Sequence, residues 1–216
     1  MFSRRALALA CVAVLTSVGT VSCAGGGTID NDSCPGDVDN AYYPEVNTNG
    51  DPVGTLIPQM PHTHVAPPAR VTYEHNPPTS GCHYSLGAPN PAPILPGAYT
   101  QQIDPEYWVH NLEHGYMVVL YNCPQGCDSD FQALREWLSK QQPDPEVVRA
   151  FKDPRVQQAR PGQSPYAKVV ILPWTFDHKF AAVAWDYYDP FDKVDTGELD
   201  RFYQNHLDQE PESGAI

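Results

Sequence analysis

The sequence predicts an α+β fold: a single domain with a mixed or antiparallel sheet, helices packed on that sheet, and a long proline-rich irregular segment before it. Two observations lead to this prediction. From residue 116 onward, apolar strand patterns and amphipathic helix patterns alternate in the order βαββα. Between residues 60 and 97 proline is so dense that helices are excluded and extended or turn backbone is favoured.

The first helix is predicted at residues 105–114. Asp104 is a favourable N-cap, Pro105 suits the first helical position, and Glu106 adds an acid in the first turn. Gly115 supplies the helix end. Within the proline-rich segment before this helix, residues 70–73 alone have the pattern of a strand.

The remaining elements follow from the periodicity of apolar residues. Strands are predicted first after Gly115 and again beyond a second amphipathic helix, and a third helix follows them. The predicted ranges are strand 116–121, helix 128–140, strand 168–172, strand 180–187 and helix 196–207.

The N-terminus has the features of an export signal. Arg4 and Arg5 precede an apolar run at residues 6–18, which is too short to span a bilayer stably. The run leads to small residues before Cys23, a pattern similar to the lipobox at which a signal is cut and the cysteine is lipidated. We therefore expect an exported lipoprotein, anchored to the membrane through Cys23, in the periplasm or on the cell surface.

A plain secretory cut, after Ser22 or within residues 24–27, is the alternative to lipidation. In either case the composition after the signal divides the chain in the same way, because the residues that follow it contain too few apolar side chains to fold. The predicted division is a signal peptide at 1–23, a flexible acidic and Gly/Pro-rich linker at 24–57, a globular domain at 58–210 and a C-terminal tail at 211–216.

The charge balance argues against nucleic acid as a partner. The chain has 13 Lys and Arg against 26 Asp and Glu. Residues 1–23 hold two of the arginines and no acid, so the rest of the chain has a net charge of −15 (11 minus 26). Such a chain repels phosphates and attracts cations. The partners we expect are the membrane, through the lipid, and another envelope protein.

Four cysteines remain in the exported part of the chain, where disulfides form readily. Two of them flank the loop between a predicted strand and helix, with three residues between the cysteines. A structural disulfide is favoured there, either within the loop or with the other pair, and a thiol redox site is the alternative. The four are Cys34, Cys82, Cys123 and Cys127.

Histidines are the side chains most suggestive of chemistry. His110 and His114 are four residues apart on the predicted helix, so both rings can reach one metal ion. With Glu113 they form an HxxEH pattern, in which a glutamate can act as the general base of a zinc hydrolase. His64 and His83 lie in the proline-stiffened segment, where rigid backbone can hold a ligand in place.

Several motifs occur in an order and spacing similar to the signature of a known family. They are His64-Val65, Tyr73, Pro77-Pro78-Thr79-Ser80-Gly81, His83-Tyr84, Gly97, Tyr99 and His110-Asn111-Leu112-Glu113-His114-Gly115. The chain resembles the bacterial extracytoplasmic and membrane-anchored proteins of domain of unknown function family 3105 over about residues 60–125, and more loosely to the end. Cys82 stands where that family more often has proline.

The resemblance implies a cluster of His64, His83, His110 and His114, without assigning a reaction. Four imidazoles suit zinc, copper or nickel, and a full set of protein ligands is typical of binding rather than turnover. We therefore expect a transition metal, copper or zinc, and metal handling. The alternatives are a zinc hydrolase with Glu113 as base, a thiol protein, and a surface interaction module whose histidines only form hydrogen bonds.

Overall fold

The computed structural model of the chain describes residues 28–30, 53–87, 90–159, 166–209 and 211–212. The predicted signal peptide with Cys23, most of the predicted linker with Cys34, and the last four residues lie outside these ranges. None of the helices in the described ranges combines the length and the apolar character that crossing a membrane requires.

Ten strands and five helices make up the described parts of the chain. The strands are β1 Thr28–Asp30, β2 Thr55–Leu56, β3 His64–Val65, β4 Arg70–Thr72, β5 His83–Tyr84, β6 Gly97–Ala98, β7 Met117–Tyr121, β8 Val169–Pro173, β9 Phe180–Ala184 and β10 Tyr187–Phe191. The helices are α1 Pro105–Glu113, α2 Asp128–Lys140, α3 Pro145–Ala150, α4 Pro154–Ala159 and α5 Thr196–His206.

The main sheet has six strands in the order β2-β10-β9-β7-β8-β6. β7, β9, β10 and β2 pair antiparallel, whereas β7, β8 and β6 pair parallel, so the sheet is mixed. Two short parallel pairs, β1 with β4 and β3 with β5, stand apart from it. The predicted α+β single domain is confirmed.

Both faces of the sheet are covered, because successive side chains of a strand point to opposite faces. On one face Met117 and Val119 of β7 pack with α2 and α5. On the other, Val118 and Leu120 pack with α1 and α3. Burial of one such aliphatic side chain contributes about 2 kcal/mol.

The predicted helix bounds agree closely with the structure, and α2 agrees at both ends. The prediction of one strand at 180–187 was wrong: the chain turns at Trp185 and Asp186, and β9 and β10 form a hairpin. Asp186 has φ 62°, a left-handed conformation that Asp tolerates better than most residues. The prediction also lacked α3 and α4, although the Asp144 side chain caps α3 through two backbone N–H groups.

Candidate metal centre

Three chain segments meet beside α1. β3 and β5 pair in parallel with His64 opposite His83, so both imidazoles lie on the same side of this two-stranded ribbon. Their ring centroids are 5.0 Å apart. α1 lies against β5 and contributes His110 and Glu113, three residues apart and therefore on one helix face.

The opposite face of α1 fixes the helix to the sheet. Trp108, Val109 and Leu112 are fully buried in the core that α1 shares with β7 and β8. Asp104 precedes the helix in extended conformation and Pro105 begins it, as the sequence predicts, but the Asp104 side chain pairs with Arg70 and makes no capping hydrogen bond. The site therefore stands on a helix whose position is set by apolar packing, with the histidines turned toward the irregular segment.

Four ligand atoms converge between these segments. The nitrogen or oxygen atoms of His64, His83, His110 and Glu113 all lie within 4.8 Å of one another, and we call these residues the strand group. From Glu113 Oε2 the distances are 2.9 Å to His83 Nε2, 3.6 Å to His64 Nε2 and 4.0 Å to His110 Nε2. Around a tetrahedral zinc ion, ligand atoms about 2.0–2.1 Å from the metal lie roughly 3.3 Å apart. The group is close to this spacing.

Two of the rings have a fixed tautomer. His83 Nδ1 is 2.8 Å from the carbonyl oxygen of Gly81, and His110 Nδ1 is 2.6 Å from that of Tyr84. A carbonyl oxygen only accepts hydrogen bonds, so each Nδ1 carries the proton and donates it. Each Nε2 then directs its lone pair into the group, an arrangement typical of metal-ligating histidines.

The contact between His83 and Glu113 fits a cation. With its proton on Nδ1, a neutral His83 ring presents an acceptor at Nε2, and this acceptor faces Glu113 Oε2 at 2.9 Å. Two acceptors at this distance require a proton or a metal ion between them. Metal binding would replace that proton, as expected for ligands that bind metal in their deprotonated form.

Glu113 and His110 are held in the forms that bind metal. Burial by itself would raise the pKa of Glu113, but a hydrogen bond from His62, at 3.0 Å to Oε1, and the nearby His83 bring this pKa far below its usual range. The pKa of His110 is lowered to about 3, chiefly by burial and also by the neighbouring His83 and His114. The carboxylate is therefore charged and the His110 ring neutral.

A second group adjoins the first. Ligand atoms of His110, Glu113, His114 and Glu212 also lie within 4.8 Å of one another, and we call these residues the C-terminal group. His114 Nε2 is 3.2 Å from Glu212 Oε2, and the His110 and His114 ring centroids are 4.4 Å apart. Burial lowers the pKa of His114. The four histidines that the resemblance implies are thus spread over two overlapping groups.

Three histidines in the described ranges lie away from the site. His75 Nδ1 is bonded to the Pro77 carbonyl oxygen, His178 is exposed between β8 and β9, and His206 is buried against Val53. None of these three is in either group.

None of the described cysteines belongs to either metal-ligand group. Cys123 and Cys127 form a disulfide with Cα atoms 5.6 Å apart, beyond the end of β7. α1 ends just before the other end of this five-residue strand, so the disulfide and the end of α1 that carries Glu113 lie at opposite ends of β7. Cys82 is fully buried and disulfide-bonded as well.

Two residues that the sequence did not predict, His62 and Glu212, enter the site, and Glu113, predicted as the base of the hydrolase alternative, enters it as a possible ligand. The helical spacing of His110, Glu113 and His114 was a signal for Glu113, because all three share one face. His62 bonds to Glu113, and the centroids of the His62 and Trp185 rings are 5.0 Å apart. Its position two residues before His64 was the available signal in the sequence. For Glu212, in the predicted tail, local sequence gave no signal.

A buried cluster of histidines and one carboxylate, built on a short helix of an α+β domain, defines a candidate metal-binding domain. The chain belongs to the family "Protein of unknown function (DUF3105)", which it matches over residues 64–216. The predicted resemblance is thereby confirmed, and the match includes every residue of the two groups. Neither a curated protein nor a solved structure matches the chain.

Proposed function

We propose that this domain binds a divalent transition-metal ion, zinc or copper, through His64, His83, His110 and Glu113, and handles that ion outside the cytoplasm. One observation carries the proposal: His83 and His110 each donate Nδ1–H to a backbone carbonyl and direct Nε2 toward the Glu113 carboxylate. Fixed tautomers around a charged, buried carboxylate are the arrangement that a metal ion needs.

The ligand chemistry narrows the choice of ion. Imidazole nitrogens suit zinc, copper, iron and nickel, whereas calcium and magnesium prefer sets of oxygen ligands. Neither metal-ligand group in the described ranges contains a cysteine. Met117, near His114 in sequence, packs with α2 and α5 on the sheet face opposite α1. The proposed ion is therefore Zn²⁺ or Cu²⁺ rather than Cu⁺, which favours sulfur ligands.

Binding is favoured over hydrolysis by the position of Glu113. A catalytic zinc has three protein ligands and an open position for water, and the general base stands outside the ligand set. Here Glu113 Oε2 lies within 4.0 Å of three histidine Nε2 atoms. Four protein ligands leave a tetrahedral ion without an open position.

The compartment and partners belong to the same proposal. The N-terminal signal pattern and Cys23 support a lipid-anchored protein in the periplasm or on the cell surface. The Cys123–Cys127 disulfide supports an oxidising compartment. In this setting the ion would be exchanged with another envelope protein.

Metal titration tests the proposal. Purified protein, stripped of metal and titrated with Zn²⁺ and with Cu²⁺, should bind about one equivalent of ion per chain. His64→Ala removes a ligand whose side chain is 46% exposed, so the fold should persist while affinity falls at least about 100-fold. His178→Ala, an exposed histidine outside both groups, is the matched control and should change nothing. A wild type that takes up neither ion would contradict the proposal.

Glu113→Gln separates binding from hydrolysis. If Glu113 is a ligand, the amide variant should lose affinity for the ion, because an amide oxygen is a poorer ligand than a carboxylate. If Glu113 is a general base, the variant should retain bound zinc and lose a hydrolytic activity. Unchanged affinity in the variant would therefore favour the hydrolase.

A further inference from the structure

We infer that the ion has two alternative positions, one in the strand group and one in the C-terminal group, and that it passes through the C-terminal group when it is exchanged. The inference rests on the proposed metal binding at the strand group and adds a route to it. The two groups share His110 and Glu113 and differ in the other two ligands. An ion could therefore move between them while two ligands stay bound.

The tautomer of His110 implies that one ion alternates between the two positions. Its Nδ1 donates to the Tyr84 carbonyl oxygen, so Nε2 provides the ring's single available lone pair. One lone pair binds one ion. The two groups therefore cannot both be filled with His110 as a ligand, and the positions alternate.

His114 lacks a satisfied acceptor in the present arrangement. The ring is more than nine-tenths buried, and its Nδ1 has no hydrogen-bond partner among the described residues. If Nε2 carries the proton and donates to Glu212, the lone pair on Nδ1 is unsatisfied. If Nδ1 carries it, Nε2 and Glu212 Oε2 are two acceptors 3.2 Å apart. A cation between His114 Nε2 and Glu212 Oε2 removes the second conflict, because each acceptor then faces the cation.

Backbone hydrogen bonds hold Asp208 and Glu212 near the end of α1, where the Glu212 side chain can bind an ion. Glu212 N donates to the Glu113 carbonyl oxygen at 3.2 Å, and Asp208 N approaches that of Gly115 at 3.4 Å. The buried Lys168 ammonium joins the same region, because it bonds to the His114 carbonyl oxygen and to Asp208. The backbones of Asp208 and Glu212 are thus held beside the end of α1.

The charge of Lys168 does not oppose a cation at the C-terminal group. Its Nζ lies 2.7 Å from a carboxylate oxygen of Glu146 and 2.7 Å from one of Asp208. Two carboxylates against one ammonium leave a net negative charge beside His114.

Exposure gives the path a direction. The His83, His110, Glu113 and His114 side chains are buried, whereas that of Glu212 is 49% exposed. An ion that leaves the strand group toward Glu212 is met by His114 and a carboxylate. An ion leaving past His64, the exposed ligand at the other end, meets no further ligand group in the described ranges. Only on the path through the C-terminal group does the ion meet further ligands of the described residues as it leaves the strand group.

Transfer kinetics test the inference. Full-length protein loaded with one equivalent of Zn²⁺ is mixed with an excess of a chromogenic chelator, and the rate of transfer is followed by stopped flow. Glu212→Gln and His114→Ala should each retain the equivalent of zinc and slow its transfer by about tenfold or more. Glu136→Gln is the matched control, because it removes one negative charge from an exposed position on α2. This variant should transfer zinc at the wild-type rate.

Each other outcome has a distinct meaning. Zinc held by all variants and transferred at one common rate would overturn the route and leave the proposed metal binding intact. Two equivalents held together by the wild type, with the second lost in Glu212→Gln, would overturn alternation. A wild type that binds neither Zn²⁺ nor Cu²⁺ would overturn the route together with the proposed function.

Discussion

The sheet and the proline-rich segment at residues 60–97 achieve order by different means. Strands of the sheet such as β7 and β8 are five residues long, alternate between two apolar faces and are buried by helices. The described strands of the segment have two or three residues, and polar side chains such as Thr79, Ser80 and His83 are fully buried there. The sheet therefore contributes most of the folding free energy, and the proline-rich segment positions the side chains that could bind a metal ion. α1 belongs to both.

The largest expected effect is on the face of α1 that packs on the sheet. Leu112→Ala should lower the free energy of unfolding by about 2–5 kcal/mol, because it removes a fully buried side chain from the core. Urea unfolding of metal-free and metal-loaded protein measures this. Val65→Ala, on the partly buried strand β3, should cost only about 1 kcal/mol. Equal costs would contradict the division between the two regions.

His206, a buried histidine on a helix that packs on the sheet, should make the stability of the domain depend on pH. His206 Nε2 donates to the Val53 carbonyl oxygen, and burial lowers the pKa of its ring to about 4. In the unfolded chain this pKa is about 6.5. Between these values the unfolded state binds a proton that the folded state does not. The free energy of unfolding should therefore fall as pH falls from about 6.5 to about 4, by up to roughly 3 kcal/mol.

The measurement is a series of urea unfolding curves across this pH range for the wild type and His206→Gln. The variant lacks the titrating group, so the difference between the two profiles isolates the contribution of His206. That difference should be the same with and without metal, because His206 is in neither metal-ligand group. Parallel profiles for the two proteins would show that His206 is not the source.

The smallest expected effect is at the end of β7 that carries the disulfide. Replacing both Cys123 and Cys127 by serine removes a cross-link around a short loop, which should cost at most about 2 kcal/mol of stability. Metal affinity, measured by titration, should be unchanged because the disulfide is remote from the histidines. A change in affinity, or loss of a redox activity, would instead support the thiol alternative.

Much of the fold was predictable because its signals are local. The sequence Asp104-Pro105-Glu106 predicted the start of α1, and the amphipathic pattern predicted both ends of α2. The hairpin at Trp185 and Asp186 was not predicted, because apolar and aromatic residues flank Asp186 on both sides and the turn contains neither a glycine nor a proline. The short helices α3 and α4 have too few turns for a periodic pattern, although Asp144-Pro145-Glu146 at the start of α3 is the same local signal as the one before α1.

The residues of the two metal-ligand groups also differ in how far the sequence predicted them. Helical spacing placed His110 and His114 on one face of α1, and the rigid segment suggested His64 and His83 as further ligands. The ligand role of Glu113 depends on contacts with His62 and His83, which are distant in sequence. Glu212 reaches the site through backbone hydrogen bonds to the end of α1, and no local pattern predicts such a contact.

The location of the bound ion is the most direct test of the central claim that the strand group binds metal. Crystals of protein loaded with Zn²⁺ or Cu²⁺ would be measured at the absorption edge of the metal. We expect one anomalous peak about 2.0–2.2 Å from Nε2 of His64, His83 and His110 and from a Glu113 oxygen. A peak at His75, His178 or His206 alone, or metal-free density with His83 still bonded directly to Glu113, would contradict it.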